Sequence, residues 1–418
     1  MRVLLIVYDN NSYIAHFPIS AAYVAASLIE LGNEVTIYNQ DVYHYPEKHL
    51  TEYLDCYQYD VIGVGMCGGY YQYQKLLKIV DAVHESSFVG KLWLGGHLVS
   101  PEPEYFQRIT GADYICSGDF CDVVNTQPAL DLFPIDYYSL ARYPHATATD
   151  RCFPVLSGHG CPFKCTFCYR LTVGYKERPI LSILDEITFL KANHVTYIDF
   201  ADELLMVSRD RIQQLCRMMK TTGLKWSCNG RLNYARLDIL KTMHESGCVF
   251  INYGIESLDD RVLYGMNKNL TVRQIYDGVQ NTIDAGISPG LNVMFGNVGD
   301  TAETLQRTVD FLLRYDDHSQ LRTIRPVTPY PGCDLYYYAI EYGLLRDVAD
   351  FYENRHMNSD LLSVNFTDLS DDEFHRLLFE ANKTLLESYY QYQLERVVKA
   401  SKKLYLERDT SFRGYRQT

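Results

Sequence analysis

The 418-residue chain reads as an α/β protein: a flavodoxin-like (Rossmann-type) module, then a partial (β/α)6 barrel, then a helical C-terminal segment. Three observations predict this. Short apolar runs alternate with helical periods in two successive series, the pattern of parallel sheets covered by crossover helices. Several of the runs end in glycine clusters or polar, chemistry-bearing residues, as strand carboxyl ends do at binding sites. Beyond about residue 340 the apolar runs cease and helical periods remain. The expected organisation is 1–125 for the first module, 126–150 for a short linker, 151–340 for the barrel and 341–418 for the helical region.

In the first module, residues 3–8, 35–38, 61–65 and 92–94 read as strands, with 114–116 a fifth. Helical stretches fall between them at 19–31, closed by Gly32, then near 46–57, at 73–86 and at 102–109. Gly65-Met66-Cys67-Gly68-Gly69 follows the third strand, and Gly95-Gly96-His97 the fourth. Glycine at a strand end lets the backbone approach a bulky ligand with no side chain between. The plain alternative is a pair of tight turns, with Cys67 and Met66 in core or turn roles and His97 a structural loop histidine.

In the second module, six apolar runs stand at 153–156, 197–200, 225–228, 249–253, 291–295 and 323–327. Helices are expected at 180–192, at 208–222 with Ser208 as N-cap, at 237–246 closed by Gly247, at 271–285 closed by Gly286, and at 301–315. Six βα units suggest an open, partial barrel rather than a closed eight-fold one, with catalytic groups at the strand carboxyl ends.

The first of those ends carries the most informative stretch in the chain. Cys161, Cys165 and Cys168 stand in a Cys-x3-Cys-x2-Cys spacing directly after the first apolar run. Three soft ligands this close can converge on one iron–sulfur cluster but cannot complete it, which leaves one iron of a four-iron cube open to an outside ligand. Disulfides suit the trio badly, because near neighbours seldom meet the bridge geometry and three is odd. A zinc site would need a fourth protein ligand, and His159 is available for that alternative.

This spacing, with the aromatic Phe167 before the last cysteine, resembles the signature of the radical S-adenosylmethionine (SAM) enzymes. The resemblance implies a 4Fe-4S cluster whose open iron chelates the amino and carboxylate groups of SAM, with Phe167 near the adenine. It extends to other strand ends. Asp202 or Glu203 after the second strand would meet the SAM amino group; Arg231 after the third would clamp its carboxylate, as a planar fork allows. Glu256 and Ser257 after the fourth match a stretch near the ribose. The bland readings are helix-capping acids, a surface arginine and ordinary core. The fifth strand end departs from the family pattern, with Val298 and Asp300 where Pro and Glu are usual. At the sixth, Pro329 and Pro331 make a rigid turn, with Arg325 and Tyr330 facing a substrate pocket.

The first module, through 95–104 and 112–119, looks like the cobalamin-binding domain that precedes many radical SAM enzymes. This implies that Gly65, Gly68, Gly69, Gly95, Gly96 and His97 hold cobalamin. The Asp-x-His-x-x-Gly loop of other cobalamin domains is absent from 9–14, so the lower face of the cobalt should lack a histidine ligand. After Gly118 the chain reads Asp119-Phe120-Cys121 in place of the family's Gly-Glu-Gly-Glu. The connection is abbreviated, and the two modules should sit close together.

The tail reads as helices at 344–354 and 370–400, the second opened by Ser370 and Glu373 in capping-box form, and is expected to cover part of the barrel mouth. The 36 tyrosines fit amphipathic packing better than a radical relay. Arg408, Arg413 and Arg416 close a frayed end.

Hydrophobic content of 47% with 22% charged residues is ordinary for a soluble globular protein. A net charge of −13 argues against nonspecific nucleic-acid binding, which draws on Lys and Arg contacts to phosphate. No apolar run approaches the roughly 20 residues that span a bilayer, and no signal peptide opens the chain. The remaining cysteines are scattered singly, as in a reducing cytoplasm. The implied activity is cobalamin-dependent methyl transfer to an unactivated carbon of a small-molecule or lipid-like substrate. Reductive SAM cleavage would yield a deoxyadenosyl radical that takes hydrogen, methylcobalamin would deliver the methyl group, and a flavodoxin or ferredoxin would supply electrons. The alternatives are a non-methylating oxidation, cyclisation or rearrangement with the same cofactors, and a noncatalytic cobalamin-binding protein.

Overall fold

A computed structural model describes residues 1–118, 123–172 and 174–411. The Asp119–Cys121 departure, Arg413 and Arg416 lie outside the described residues.

The first module alternates as expected: β1 (Arg2–Val7), α1 (Ile19–Glu30), β2 (Glu34–Asn39), a one-turn α2 (Gln40–Tyr43), α3 (Glu47–Cys56), β3 (Val61–Gly65), α4 (Tyr70–Glu85), β4 (Lys91–Gly95), α5 (Pro103–Thr110) and β5 (Tyr114–Ile115). The sheet is parallel in the order β2-β1-β3-β4-β5, the flavodoxin-like arrangement. Helices cover both faces, so β1 is buried over Val3–Val7 and reads as an unbroken apolar run. The connection to the barrel is packed. Its one-turn α6 (Ile135–Tyr138) and Phe133 press aromatic edges against Phe17, and Ala129 N–H donates to the Ala22 carbonyl at 3.1 Å.

The second module runs β6 (Cys152–Val155), β7 (Gly158–Cys161), β8 (Gly174–Glu177), α7 (Ile180–Ala192), β9 (Tyr197–Phe200), α8 (Arg209–Thr222), β10 (Lys225–Gly230), α9 (Leu237–Glu245), β11 (Cys248–Glu256), α10 (Asp260–Gly265), α11 (Val272–Asp284), β12 (Ser288–Phe295), α12 (Ala302–Arg314) and β13 (Arg325–Pro326). Six strands form one parallel sheet in the order β13-β12-β11-β10-β9-β6, a curled half-barrel. Ser208 caps α8 through the Arg211 N–H, and Thr271 with Gln274 forms a capping box on α11. The antiparallel β7–β8 hairpin is an addition that periodicity did not predict.

The tail differs from expectation. Gly343 (φ 70°) closes α13 (Asp334–Glu341), and of the helix expected over 344–354 the structure keeps a π-helical turn, Asp350–Arg355. This stretch lies in the seam between the modules. Tyr352 stacks on Tyr73 with centroids 4.9 Å apart, and the Glu353 carboxylate accepts from Tyr73 (3.2 Å) and Tyr105 (3.0 Å). The long α14 (Asp371–Tyr405) starts against the carboxyl end of β12, where Phe374 meets Gly296, and runs on along the barrel's edge. Phe374 stacks on Phe295, and the Asn382 amide both accepts from and donates to the Ile324 backbone at 2.8 and 2.9 Å. It thus satisfies backbone groups that an edge strand leaves exposed.

Candidate active site

The cysteine loop is built on buried polar scaffolding. At the end of β6, Arg178 donates to the Leu156 carbonyl (2.6 Å) and Arg211 to the Ser157 carbonyl (2.6 Å), both guanidiniums buried. Arg178 is also paired with Glu186 at 2.7 Å; burial pushes that carboxyl up to about 7, with Arg178 opposing. Gly160 (φ 87°) leaves room for the Gly174 carbonyl, which a Cβ would strike, so β7 and β8 can close. Cys161 ends β7, Cys165 is buried, and Cys168 reaches the surface, turned back by its N–H to the Cys165 carbonyl at 3.1 Å. Loss of hydration pushes the Cys168 thiol up to about 11, with nearby Cys165 and Cys161 adding to the rise and Arg170 and Lys268 opposing it.

His159 does not join them. Its Nε2 is 2.7 Å from Thr172 Oγ1, and its Nδ1 is 3.9 Å from Glu203. Among the described residues, no three His, Cys, Asp or Glu side chains are preassembled as a metal cage.

The other strand ends of the barrel converge on the same mouth. Asp202 is wholly buried, with its two oxygens accepting from the Ser157 N–H and hydroxyl at 2.6 Å each. Burial raises its carboxyl to about 6, against those hydrogen bonds. Asp202 thus braces the cysteine hairpin, while the half-exposed Glu203 accepts from Gly160 N–H at 2.8 Å and keeps its other oxygen toward His159. Arg231 lies with its guanidinium 3.7 Å from the Phe163 ring centroid; it is buried, and among the described residues its Nε and Nη2 have no hydrogen-bond partner. Glu256 is buried at a left-handed position (φ 68°) and accepts from Lys268 at 2.8 Å. Ser257 is buried in a turn, accepting from Asp259 N–H at 3.2 Å. Phe167 carries Lys268 Nζ 5.7 Å from its ring centroid.

Sequence reasoning missed Lys268 and a polar ladder across the strands. Asn229 donates to the Asp202 carbonyl, Asn252 to Asn229 and Asn292 to Asn252, at 2.8, 3.1 and 2.9 Å. Asparagines inside otherwise apolar strand runs were the available signal.

The glycine loops of the first sheet face this region. A Cβ on Gly65 would meet nothing within 4 Å, so open space lies beyond the end of β3. Gly96 (φ 90°) sits against the Met66 carbonyl, where a Cβ would collide. Gly69 is likewise left-handed, and Gly95 faces Cys116. A Cβ on Gly68 would stand 3.5 Å from the Tyr330 ring, and the His97 ring meets Tyr169 edge-on at 5.9 Å. Tyr169 directly follows Cys168, and it fits beside Pro101 because Gly332 has no side chain. Tyr330 Oη lies 3.3 Å from Nε2 of the buried His356, which burial pushes down to about 4 and so keeps neutral near pH 7. Arg325 is exposed and paired at 2.9 Å with exposed Asp360, near enough to Tyr330 for its charge to favour the phenolate there.

Residues 155–312 match the family model described as the Radical SAM superfamily. Over 225 residues the chain is 30% identical to an uncharacterized methyltransferase of Pyrococcus horikoshii, covering 52% of this chain and 47% of that one. It is 27% identical to the bacteriochlorophyllide d C-12(1)-methyltransferase of Chlorobaculum tepidum, covering 50% and 47%. The chain thus spans about half the length of these curated relatives. Its fold matches the radical SAM methyltransferase TsrM from Kitasatospora setae, solved with cobalamin and a [4Fe-4S] cluster, at a TM-score of 0.66 and 16% identity, covering 83% of this chain and 79% of that one. Among the described residues no helix is long and apolar enough to cross a membrane.

Proposed function

We propose, from the premise that this chain belongs to the radical SAM superfamily, that it is a cobalamin-dependent enzyme methylating an unactivated carbon of a small-molecule or lipid-like substrate. The observation that carries this is the facing of two loop sets: Gly68 and His97 at the strand ends of one sheet against Tyr330 and Tyr169 at those of the other. Residues 1–125 would be the cobalamin module and 151–340 the barrel, joined by 126–150 and followed by 341–418.

The residues fit the groups they would hold. Cys161, Cys165 and Cys168 offer soft ligands to a 4Fe-4S cluster, with Cys165 and Cys161 close enough to raise the Cys168 thiol. The nitrogens of Arg231 without partners among the described residues suit the carboxylate of SAM, and Glu203 is the more exposed of the two acids. Glu256 and Ser257 would border the ribose, and Phe167 the adenine. The space beyond Gly65 suits a corrin edge. When bound, the cluster and SAM supply a carbon-centred radical, and cobalamin supplies a transferable methyl group. The protein's part is to hold the two loop sets in register and to exclude water from the gap. An electron-donor protein would serve the cluster, and the singly scattered cysteines suit a reducing cytoplasm.

The test is anaerobic reconstitution with iron, sulfide, hydroxocobalamin, SAM and a reductant. A brown protein with a paramagnetic signal on reduction, forming deoxyadenosine and S-adenosylhomocysteine, is expected, and Cys165→Ala should abolish both. Product without label from methyl-labelled SAM would replace methylation by a rearrangement or oxidation. A colourless, zinc-loaded protein would end the reading.

A further inference from the structure

Lys268 lies in the turn between α10 and α11, where Asn267 and Asn269 both take left-handed backbone conformations (φ 53° and 51°). A lysine in a polar turn ordinarily keeps its ammonium in water. This one is 6% exposed, and its Nζ donates to Glu256 Oε1 at 2.8 Å within a pair buried on both sides. Desolvating such a pair can cost as much as its attraction returns, so stability alone is a weak reason to build it.

The backbone is bent to accommodate it. The β11–β12 register shifts between Gly254 and Glu256, and Glu256 sits at φ 68°. A Cβ on Gly254 would overlap Glu256 Oε1 and stand 3.0 Å from Lys268 Nζ. The same turn grips the cysteine loop: Met266 accepts from Thr166 N–H at 3.0 Å, and Asn267 donates to the Lys164 carbonyl at 2.7 Å. Lys268 Nζ is 5.7 Å from the ring centroid of Phe167, the residue before Cys168.

We infer that Lys268 is a positioning residue that couples the two halves of the SAM site, fixing the Glu256 carboxylate while placing its ammonium beside the cysteine loop. It has this role only if the loop holds the cluster proposed above. A fixed cation beside the cluster favours its reduced, more negative form, so loss of the charge should make reduction harder.

The full chain is reconstituted with iron and sulfide as wild type, Lys268→Met and Lys268→Arg. Iron content, affinity for S-adenosylhomocysteine by calorimetry and the midpoint potential of the cluster are measured. With iron equal to wild type, Lys268→Met should bind S-adenosylhomocysteine at least tenfold more weakly and be reduced at a more negative potential. Lys268→Arg should return the potential toward wild type. Unchanged affinity and potential in fully loaded Lys268→Met overturns the inference. Should Lys268→Met not fold, Glu256→Gln, which leaves the ammonium uncompensated, must move the potential positive; an unmoved potential overturns it equally. A wild-type chain that takes up no iron would fail earlier, on the cluster itself.

Discussion

The guanidinium of Arg231 lies 3.7 Å from the ring centroid of Phe163, two residues beyond Cys161, and two nitrogens of this buried residue have no partner among the described residues. Unmet buried polar groups cost about 1–3 kcal/mol each, so the ring holds in place a charge that the described residues do not satisfy. Removing it should therefore spare the fold and harm binding. Arg231→Met should melt no lower than wild type without ligands. Its affinity for S-adenosylhomocysteine should fall roughly ten- to hundredfold, the loss of charge-assisted bonds of about 1.5–3 kcal/mol. Arg231→Lys should fall between, lacking the planar fork. Calorimetry showing equal affinity in Arg231→Met would remove this residue from the site.

Two glycines of the first sheet should respond oppositely. Gly65 faces open space, so Gly65→Val should leave the melting temperature unchanged while sharply lowering the hydroxocobalamin retained through gel filtration. Gly96, at φ 90° against the Met66 carbonyl, cannot accept a side chain without backbone movement. Gly96→Ala should lower stability by about 1–3 kcal/mol, read by denaturant melts. Full cobalamin retention by Gly65→Val would place the ligand elsewhere.

Much of this fold was legible because its signals are local. The strand at Val61–Gly65 and the helix at Ile180–Ala192 have the bounds expected from apolar period, and Ser208 announces its helix by its own chemistry. The β7–β8 hairpin was not legible, because its strands are short, glycine-bearing and defined only by pairing across the cysteine loop. Lys268 in a polar turn looks solvated until Glu256 is folded beside it. Asp202 and Glu203 are neighbours of one chemical type, and only the position of Ser157 separates the brace from the open carboxylate. Arg325, grouped with Tyr330 by sequence, is exposed and paired with Asp360, a tail residue that the local pattern does not bring to it.

Asp202 makes stability depend on pH in a definite direction. Its carboxyl is raised from 3.8 to about 6, so between about pH 4 and 6 the native state binds more protons than the unfolded chain. Its contribution then weakens as pH rises through that window and is flat above it. Asp199, also raised to about 6, acts the same way. His356, lowered from 6.5 to about 4, acts in the opposite sense, destabilising the fold as pH falls. Comparison with Asp202→Asn isolates the first contribution. The variant's melting temperature without cofactors should fall less, or rise more, from pH 4 to 6 than that of wild type. Parallel curves would mean that Asp202 is ionised across the whole window.

Glu353 sits where the tail meets the first module, accepting from both Tyr73 and Tyr105 while Tyr352 stacks on Tyr73. The two phenols are 2.8 Å apart, so one can donate to the other but not both reciprocally. Glu353→Ala leaves at least one buried hydroxyl proton without an acceptor, at a cost of about 1–3 kcal/mol. Glu353→Gln keeps a carbonyl acceptor and should lose less. If residues 350–355 fasten the seam, amide exchange in Glu353→Ala should quicken in Tyr70–Glu85 and Pro103–Thr110 and stay unchanged in Ala302–Arg314, a barrel helix packed against α14. Faster exchange spread evenly over all three helices would show instead a general loss of stability, with no seam at this carboxylate.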